Sequence, residues 1–175
     1  MLKLPIPPMD GHSTTRLVFR HPTLEDKSWW MAYHNDAEAI RFMRFTVGNE
    51  ADCIFFIQRS LDRIARDGSG LNVISERSSG TPVGMVGLLT QEVDGVAELE
   101  IGYHLLPSAW GKGFATEAAI ACKAFAAGHR LADSVISLID PENHKSQAVA
   151  ARNGMIHEKR TVHRGFDAWV FRTRL

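Results

Sequence analysis

The sequence predicts a single α/β domain of mixed α+β layout with a largely antiparallel sheet. Three observations carry this expectation. Segments of period two and of period 3.6 follow one another as strand, helices, three strands, helix, strand, helix and two strands. Asp94-Gly95 is a two-residue hairpin signal, and such a connection requires antiparallel neighbours. The chain has 175 residues and shows no repeat, low-complexity stretch or linker that would divide it.

The elements are read in order. Residues 1–12 form an N-terminal arm, which Pro5, Pro7 and Pro8 make extended and mobile; the folded domain is expected over 13–175. The arm lacks the apolar core of a secretory signal. Residues 15–20 alternate and are rich in strand formers. Thr23 precedes Asp26 by three residues, close to a capping box, and opens a helix through Trp29 and Trp30. A second helical stretch is expected over 36–43. A third runs over 50–67, with Ile54, Ile57, Leu61 and Ile64 at helical spacing and a stop at Gly68. Strands follow at 71–75, 82–91 and 96–106, ended by Pro107. A helix over 111–129 carries Phe114, Ala118, Cys122 and Phe125 on one stripe beside many alanines. Residues 134–139 read as a buried strand and 143–152 as a helix closed by Asn153-Gly154. Two last strands, 156–163 and 166–174, meet at Arg164-Gly165.

Composition narrows the function classes. Twenty basic and twenty acidic residues give a formal net charge of zero, so no global basic field favours nucleic acid or an anionic membrane. No run approaches the roughly 18 apolar residues of a membrane span. Cys53 and Cys122 sit in apolar helical stretches without metal-ligand spacing, so no metal site is expected and both read as reduced core thiols of a cytoplasmic protein. A monomer and a homodimer read alike.

Residues 110–116, Trp-Gly-Lys-Gly-Phe-Ala-Thr, lie between a strand and a helix. A helix start leaves backbone N–H groups unpaired, and its macrodipole favours an anion there. Glycines let that anion approach the backbone. A dinucleotide fingerprint would need Gly or Ala where Thr116 stands, and a parallel unit before it. A P-loop would need GxxxxGK[ST], which is absent. Two glycines that merely allow a tight turn are the plain alternative.

The wider segment 98–119, ELEIGYHLLPSAWGKGFATEAA, resembles the coenzyme A motif of the GNAT acyltransferase superfamily, and within it the RimJ/RimL-like branch that acetylates N-termini of ribosomal proteins. The resemblance extends to residues 15–20, to Asn35-Asp36 with 41–43, to 82–87, and to 140–155 with its DPENHKS segment. It implies a mostly antiparallel seven-stranded sheet, flanked by helices and splayed between the strand ending near Leu106 and the strand 134–139. Acetyl-CoA would lie in that gap as acyl donor, without a metal. Its pyrophosphate would meet Gly111, Gly113 and Ala115, with Trp110, Lys112, Phe114 and Thr116 nearby. Its pantetheine arm would pair with the backbone of His104, Leu105 and Leu106, and Asn143 would hold it further along.

The implied reaction is acetyl transfer to a primary amine, either a protein N-terminus or a small amine, by direct attack in a ternary complex. An amine must first lose a proton, which a carboxylate can take. Glu98, Glu100, Gly102 and His104 share one strand face, while Leu99, Ile101, Tyr103 and Leu105 share the other. Glu100 matches the branch's proposed base; a solvated strand face is the alternative. Glu98 is structural or substrate-facing. Asn143 and Ser146 face the same way at a helix start. Asn143 is a coenzyme ligand or an N-cap, and Ser146 is a partner of the leaving thiolate or a plain early-turn residue. Trp30, Phe42, Met43 and Phe45 are candidates for the amine side or for the core, as are Phe166, Asp167 and Trp169. A non-catalytic acyl-CoA sensor on the same fold is the rival function.

Overall fold

A computed structural model describes residues 1–175. Seven strands, β1 (Leu17–Arg20), β2 (Gly70–Glu76), β3 (Pro82–Val93), β4 (Val96–Leu105), β5 (Ser134–Ile139), β6 (Ile156–His163) and β7 (Phe166–Arg174), form one sheet in the order β1-β2-β3-β4-β5-β7-β6. Four helices, α1 (Lys27–His34), α2 (Glu50–Asp67), α3 (Phe114–Gly128) and α4 (His144–Arg152), flank it. Every pairing is antiparallel except β4 with β5, which is parallel and consists of one residue pair, Glu100 with Ile136. The sheet is therefore continuous on either side of this point and opens along the rest of β4 and β5. That opening is the splay implied by the sequence resemblance.

Both faces of the sheet are covered, and the period of two sorts most of the core into two large clusters, with a third small one of Val93, Ile136 and Val170. Leu71, Val73, Met85 and Leu89 pack with Trp30, Tyr33, Cys53, Phe56 and Ile57 of α1 and α2. Ile74, Val86, Leu88, Leu99 and Ile101 pack on the other face with Phe114, Ala118 and Cys122 of α3. The alanines of α3 let its backbone lie close to the strands. Cys53 and Cys122 are free and buried.

Four expectations change. Residues 36–43 form turns, not a helix; Asp36 caps locally by accepting from the Ala39 amide at 2.9 Å, and such side-chain bonds compete with helix. The buried stripe of α2 is Cys53, Phe56, Ile57, Ser60 and Arg63, which leaves Ile54 exposed. Tertiary contact thus selects a stripe rotated from the one drawn through the isoleucines. The start of α3 is Phe114, because Gly111 and Gly113 take positive φ. The N-terminal arm is packed, with Ile6 and Met9 in the core. The Ile6 amide donates to Asp67 O at 2.9 Å, and the Ile6 carbonyl fills the space that a Cβ on Gly68 would need.

The Thr23–Asp26 signal is realised: the Thr23 amide donates to Asp26 Oδ2 at 2.7 Å. Asp26 also holds Arg20 and the Trp29 indole, tying β1 to α1. Arg20 and these donors, outweighing burial in the net, keep the Asp26 carboxyl below its ordinary range.

Candidate active site

The opening between β4 and β5 widens into a cavity of about 1360 Å³. One end is the loop before α3. Gly111 (φ 73°) and Gly113 (φ 81°) are left-handed, a conformation that strains any residue with a Cβ. The backbone amides from Gly111 to Thr116 donate to no protein group; the first amide of the helix to find a partner is that of Glu117, which bonds to Gly113 O. A row of unpaired donors at a helix start, lining a cavity, fits a pyrophosphate.

The fixed cation at this end is Arg16, not Lys112. Glu117 holds Arg16 Nε at 2.6 Å, Arg16 Nη1 donates to Lys112 O, and the guanidinium covers the Phe114 ring at 4.7 Å. Lys112 is exposed and its side chain does not line the cavity. Arg16 lies nearly a hundred residues before the loop, so no local pattern pointed to it. Trp110 lines the cavity, donates Nε1–H to Leu105 O at 3.0 Å, and carries Lys145 Nζ 4.2 Å above its ring.

The backbone of β4 along the opening has a definite polarity. The Leu106 amide donates to Val83 O, on the β3 side. Ladder alternation then turns the backbone groups of Leu105, Tyr103 and Ile101 towards β5. Two acceptors on that edge are taken, Ile101 O by the Ser137 hydroxyl at 2.8 Å and Leu105 O by Trp110. Leu105 therefore presents its amide to the opening. Leu106 does not: its amide is engaged and its side chain joins the core.

Glu100 is buried, with 8% of its surface exposed, and lines the cavity. Gln91 Nε2 donates to its Oε2 at 2.6 Å and the Leu138 amide to its Oε1 at 3.2 Å. Gln91 lies in turn 3.5 Å from Arg63 Nη2, and Arg63 Nη1 donates to Thr90 O. Glu100 is thus no solvated strand residue. Two residues on, Glu98 serves the architecture instead: it makes a two-toothed ion pair with Arg172 of β7, at 2.7 and 3.0 Å, and does not line the cavity. His104, on the same face, receives a contact from Tyr33 Oη 3.0 Å from its Nδ1. Burial, with the positive charges of Arg59 and His34, lowers the His104 pKa to about 4. The ring is therefore neutral at pH 7, with one nitrogen a donor and the other an acceptor.

At the mouth of α4, Asn143 Oδ1 accepts from the Ser146 amide at 3.1 Å, so Asn143 is an N-cap. Its amide nitrogen makes no protein hydrogen bond, and Asn143 lines the cavity. Ser146 also lines it, with a hydroxyl that has no protein partner. Tyr103 reaches across the opening and donates its hydroxyl to Ser146 O at 2.8 Å. Face alternation along β4 places Tyr103 on the face opposite Glu100, yet Tyr103 lines the cavity as well.

On the far side, Phe42, Met43, Phe45, Phe166 and Asp167 line the cavity. Trp30 does not. It is fully buried and stacked on Tyr33 at 4.4 Å, a core residue of the α1–α2 layer. Trp169 is likewise turned away, packed on His157.

Residues 16–156 match the acetyltransferase (GNAT) domain model, and the chain belongs to that family. A curated relative, the uncharacterized protein YkkB of Bacillus subtilis, is 34% identical over 92 residues, which cover 53% of this chain and 54% of that one; this chain thus matches about half the length of its curated relative. The fold is similar to that of an acetyltransferase from Agrobacterium tumefaciens, with a TM-score of 0.77 at 23% identity over 93% of both chains. It is also similar to RimL, a ribosomal L7/L12 alpha-N-protein acetyltransferase solved with coenzyme A, with a TM-score of 0.73 at 17% identity over 99% of this chain and 98% of that one. RimL belongs to the branch that the sequence resembles. No helix is long and apolar enough to cross a membrane, and no group of His, Cys, Asp and Glu side chains has the arrangement of a metal site.

Proposed function

We propose that this protein is an N-acetyltransferase that moves an acetyl group from acetyl-CoA to a primary amine by direct attack in a ternary complex. One observation carries this: a single cavity joins the unpaired amides of Gly111 to Thr116 to the buried carboxylate of Glu100. A binding module needs the first feature alone. A buried carboxylate fixed by Gln91 and Leu138 beside the thioester position is what amine deprotonation needs.

When bound, acetyl-CoA supplies the acetyl group as a thioester. The amides of the loop and Arg16 hold its pyrophosphate, and Trp110, Asn143 and the Leu105 backbone line the path of its arm. Glu100 takes the proton from the amine, directly or through one water, as nitrogen bonds to the carbonyl carbon. The Leu105 amide is the backbone donor placed to meet negative charge on the carbonyl oxygen. The C–S bond then breaks, and the Ser146 hydroxyl donates a hydrogen bond to the leaving sulfur. Phe42, Met43, Phe45 and Phe166 wall the amine side. Free, buried Cys53 and Cys122 suit a reducing cytoplasm.

The deciding experiment is a thiol-release assay with acetyl-CoA and a panel of amines. Glu100→Gln should reduce turnover by about a hundredfold, with unchanged coenzyme affinity by calorimetry. Coenzyme binding without turnover of any amine, and with no difference in Glu100→Gln, would establish a sensor instead.

A further inference from the structure

The acceptor side of the cavity carries guanidinium groups that no protein carboxylate binds. Arg59 projects from α2, one turn beyond Phe55, and both line the cavity. Arg164 comes from a different element, the tip of the β6–β7 hairpin between His163 and Phe166, and lines the same cavity. Glu100 lines the same cavity, close enough for its charge to act on Arg59. Neither arginine makes a hydrogen bond or an ion pair within the protein. Elsewhere Arg16, Arg20, Arg66, Arg160 and Arg172 are each held by an acidic side chain.

The two groups feel each other. Burial and the like charge of Arg164 hold Arg59 below its ordinary pKa, against the pull of Glu100. Burial, Arg59 and Arg164 bring the neighbouring Arg63 down to about 10. Glu100 does not relieve this crowding by direct pairing, because its oxygens receive Gln91 and the Leu138 amide. The hairpin adds a second sign. Arg164 has φ 51°, followed by Gly165 at 78°, so the tip is the kind of turn that favours Asn or Gly at its first position. An arginine is held there in a conformation unfavourable for its side-chain type. Arg44 secures the tip, donating Nη2–H to Gly165 O at 2.9 Å and stacking on Phe166 at 3.9 Å.

We infer, on the basis of the transferase function proposed above, that Arg59 and Arg164 form an oxyanion clamp and that the acceptor is an amine carrying a carboxylate or phosphate group. The anion seats between the guanidinium groups, which offer forked donors matched to planar or tetrahedral oxyanions. Its binding orients the amine towards Glu100. A polycation is disfavoured on this side by the same charges.

The test uses two matched pairs of amines in the thiol-release assay: an α-amino acid with its carboxamide, and phosphoethanolamine with ethanolamine. The charged member of one pair should exceed its neutral partner in kcat/KM by tenfold to about a hundredfold, the range for losing one charge-assisted contact or more; the pair that responds tells carboxylate from phosphate. In the Arg59→Gln/Arg164→Gln double variant this ratio should fall to near one, and Arg59→Lys should keep part of it. Coenzyme affinity by calorimetry serves to show that the variant is folded. Equal kcat/KM within both pairs, or a ratio that survives the double variant, overturns the clamp and leaves the transferase function standing. If none of the four amines nor any of a wider panel releases thiol, the transferase function falls, and the clamp with it.

Discussion

The Tyr103 hydroxyl donates to the Ser146 carbonyl at 2.8 Å and thereby bridges the open part of the sheet. Tyr103 belongs to β4 and Ser146 to the first turn of α4, elements that the strand ladder leaves apart at this level. The bond sets where the Ser146 hydroxyl sits relative to the β4 backbone. Tyr103→Phe should lower stability by about 1 kcal/mol, the typical worth of one such bond, in urea denaturation. It should also reduce turnover more than coenzyme affinity. Unchanged turnover at saturating substrate would remove the bridge from the mechanism.

Ser146→Ala tests the partner of the leaving sulfur more directly. The hydroxyl has no protein acceptor, so its removal leaves no buried group stranded, and thermal stability should hold within about 0.5 kcal/mol. Turnover should drop about tenfold, with coenzyme binding nearly constant. Equal turnover in wild type and variant rules the role out.

Gln91 fixes the proposed base and itself lines the cavity. Gln91→Ala deprives Glu100 of its 2.6 Å donor and Arg63 of a nearby acceptor. Turnover should fall about tenfold, and the acidic limb of the pH–rate profile should move, whereas Gln91→Asn should restore part of the rate. A shift in KM alone, with an unmoved profile, would mark Gln91 as a packing residue only.

Gly113 stands at φ 81°, and Arg16 Nη2 is 3.4 Å from where a Cβ would be. Gly113→Ala should cost about 1–2 kcal/mol through the backbone alone. Gly113→Glu adds a negative charge where the loop amides converge, and coenzyme affinity should drop at least a hundredfold relative to Gly113→Ala. Calorimetry giving equal affinities for the two variants would show that the loop holds something else.

His104 makes stability depend on pH. Its folded pKa of about 4 lies below the unfolded value of about 6.5, so the unfolded chain binds the extra proton first. Above pH 6.5 both states are neutral and the group contributes no pH dependence. As pH falls from about 6.5 to about 4, stability is lost, with a slope of up to about 1.4 kcal/mol per pH unit. Urea midpoints at pH 7 and pH 5 should therefore differ more in the wild type than in His104→Gln. Parallel curves would assign the acid sensitivity to other groups.

Much of this was legible in the chain. Strong local chemistry marked the boundaries of β5, α2 and the β6–β7 hairpin: the run at 134–139, the Gly68 stop and Arg164-Gly165. The glycine loop was found because glycine at positive φ leaves a local trace. What stayed hidden depends on partners distant in sequence. Glu98 looks like Glu100 until Arg172, 74 residues on, neutralises it. Trp30 looks like a substrate wall until Tyr33 and Phe56 enclose it. Arg16 and Arg59 carry no pattern at all; the closing of β1 on α3 and of α2 on the opening gives them their places. Face alternation separates Tyr103 from Glu100 because it describes a flat sheet, and this one is open, with both residues on the cavity.

The single pair that joins β4 to β5 has a mechanical consequence. β1 to β4 make one panel and β5 to β7 another, joined by the Glu100–Ile136 pair, by the Ser137 hydroxyl and Leu138 amide that bond to Ile101 O and Glu100, and by Tyr103. A coenzyme arm lying along the free edge of β4 would act as a keystone, adding to the architecture as well as to the chemistry. Hydrogen exchange at the β4–β5 seam should then slow on coenzyme binding, while the outer hairpins stay unchanged. The residue that closes the seam is also the proposed base, so the join between the panels and the point where the proton is to be taken coincide.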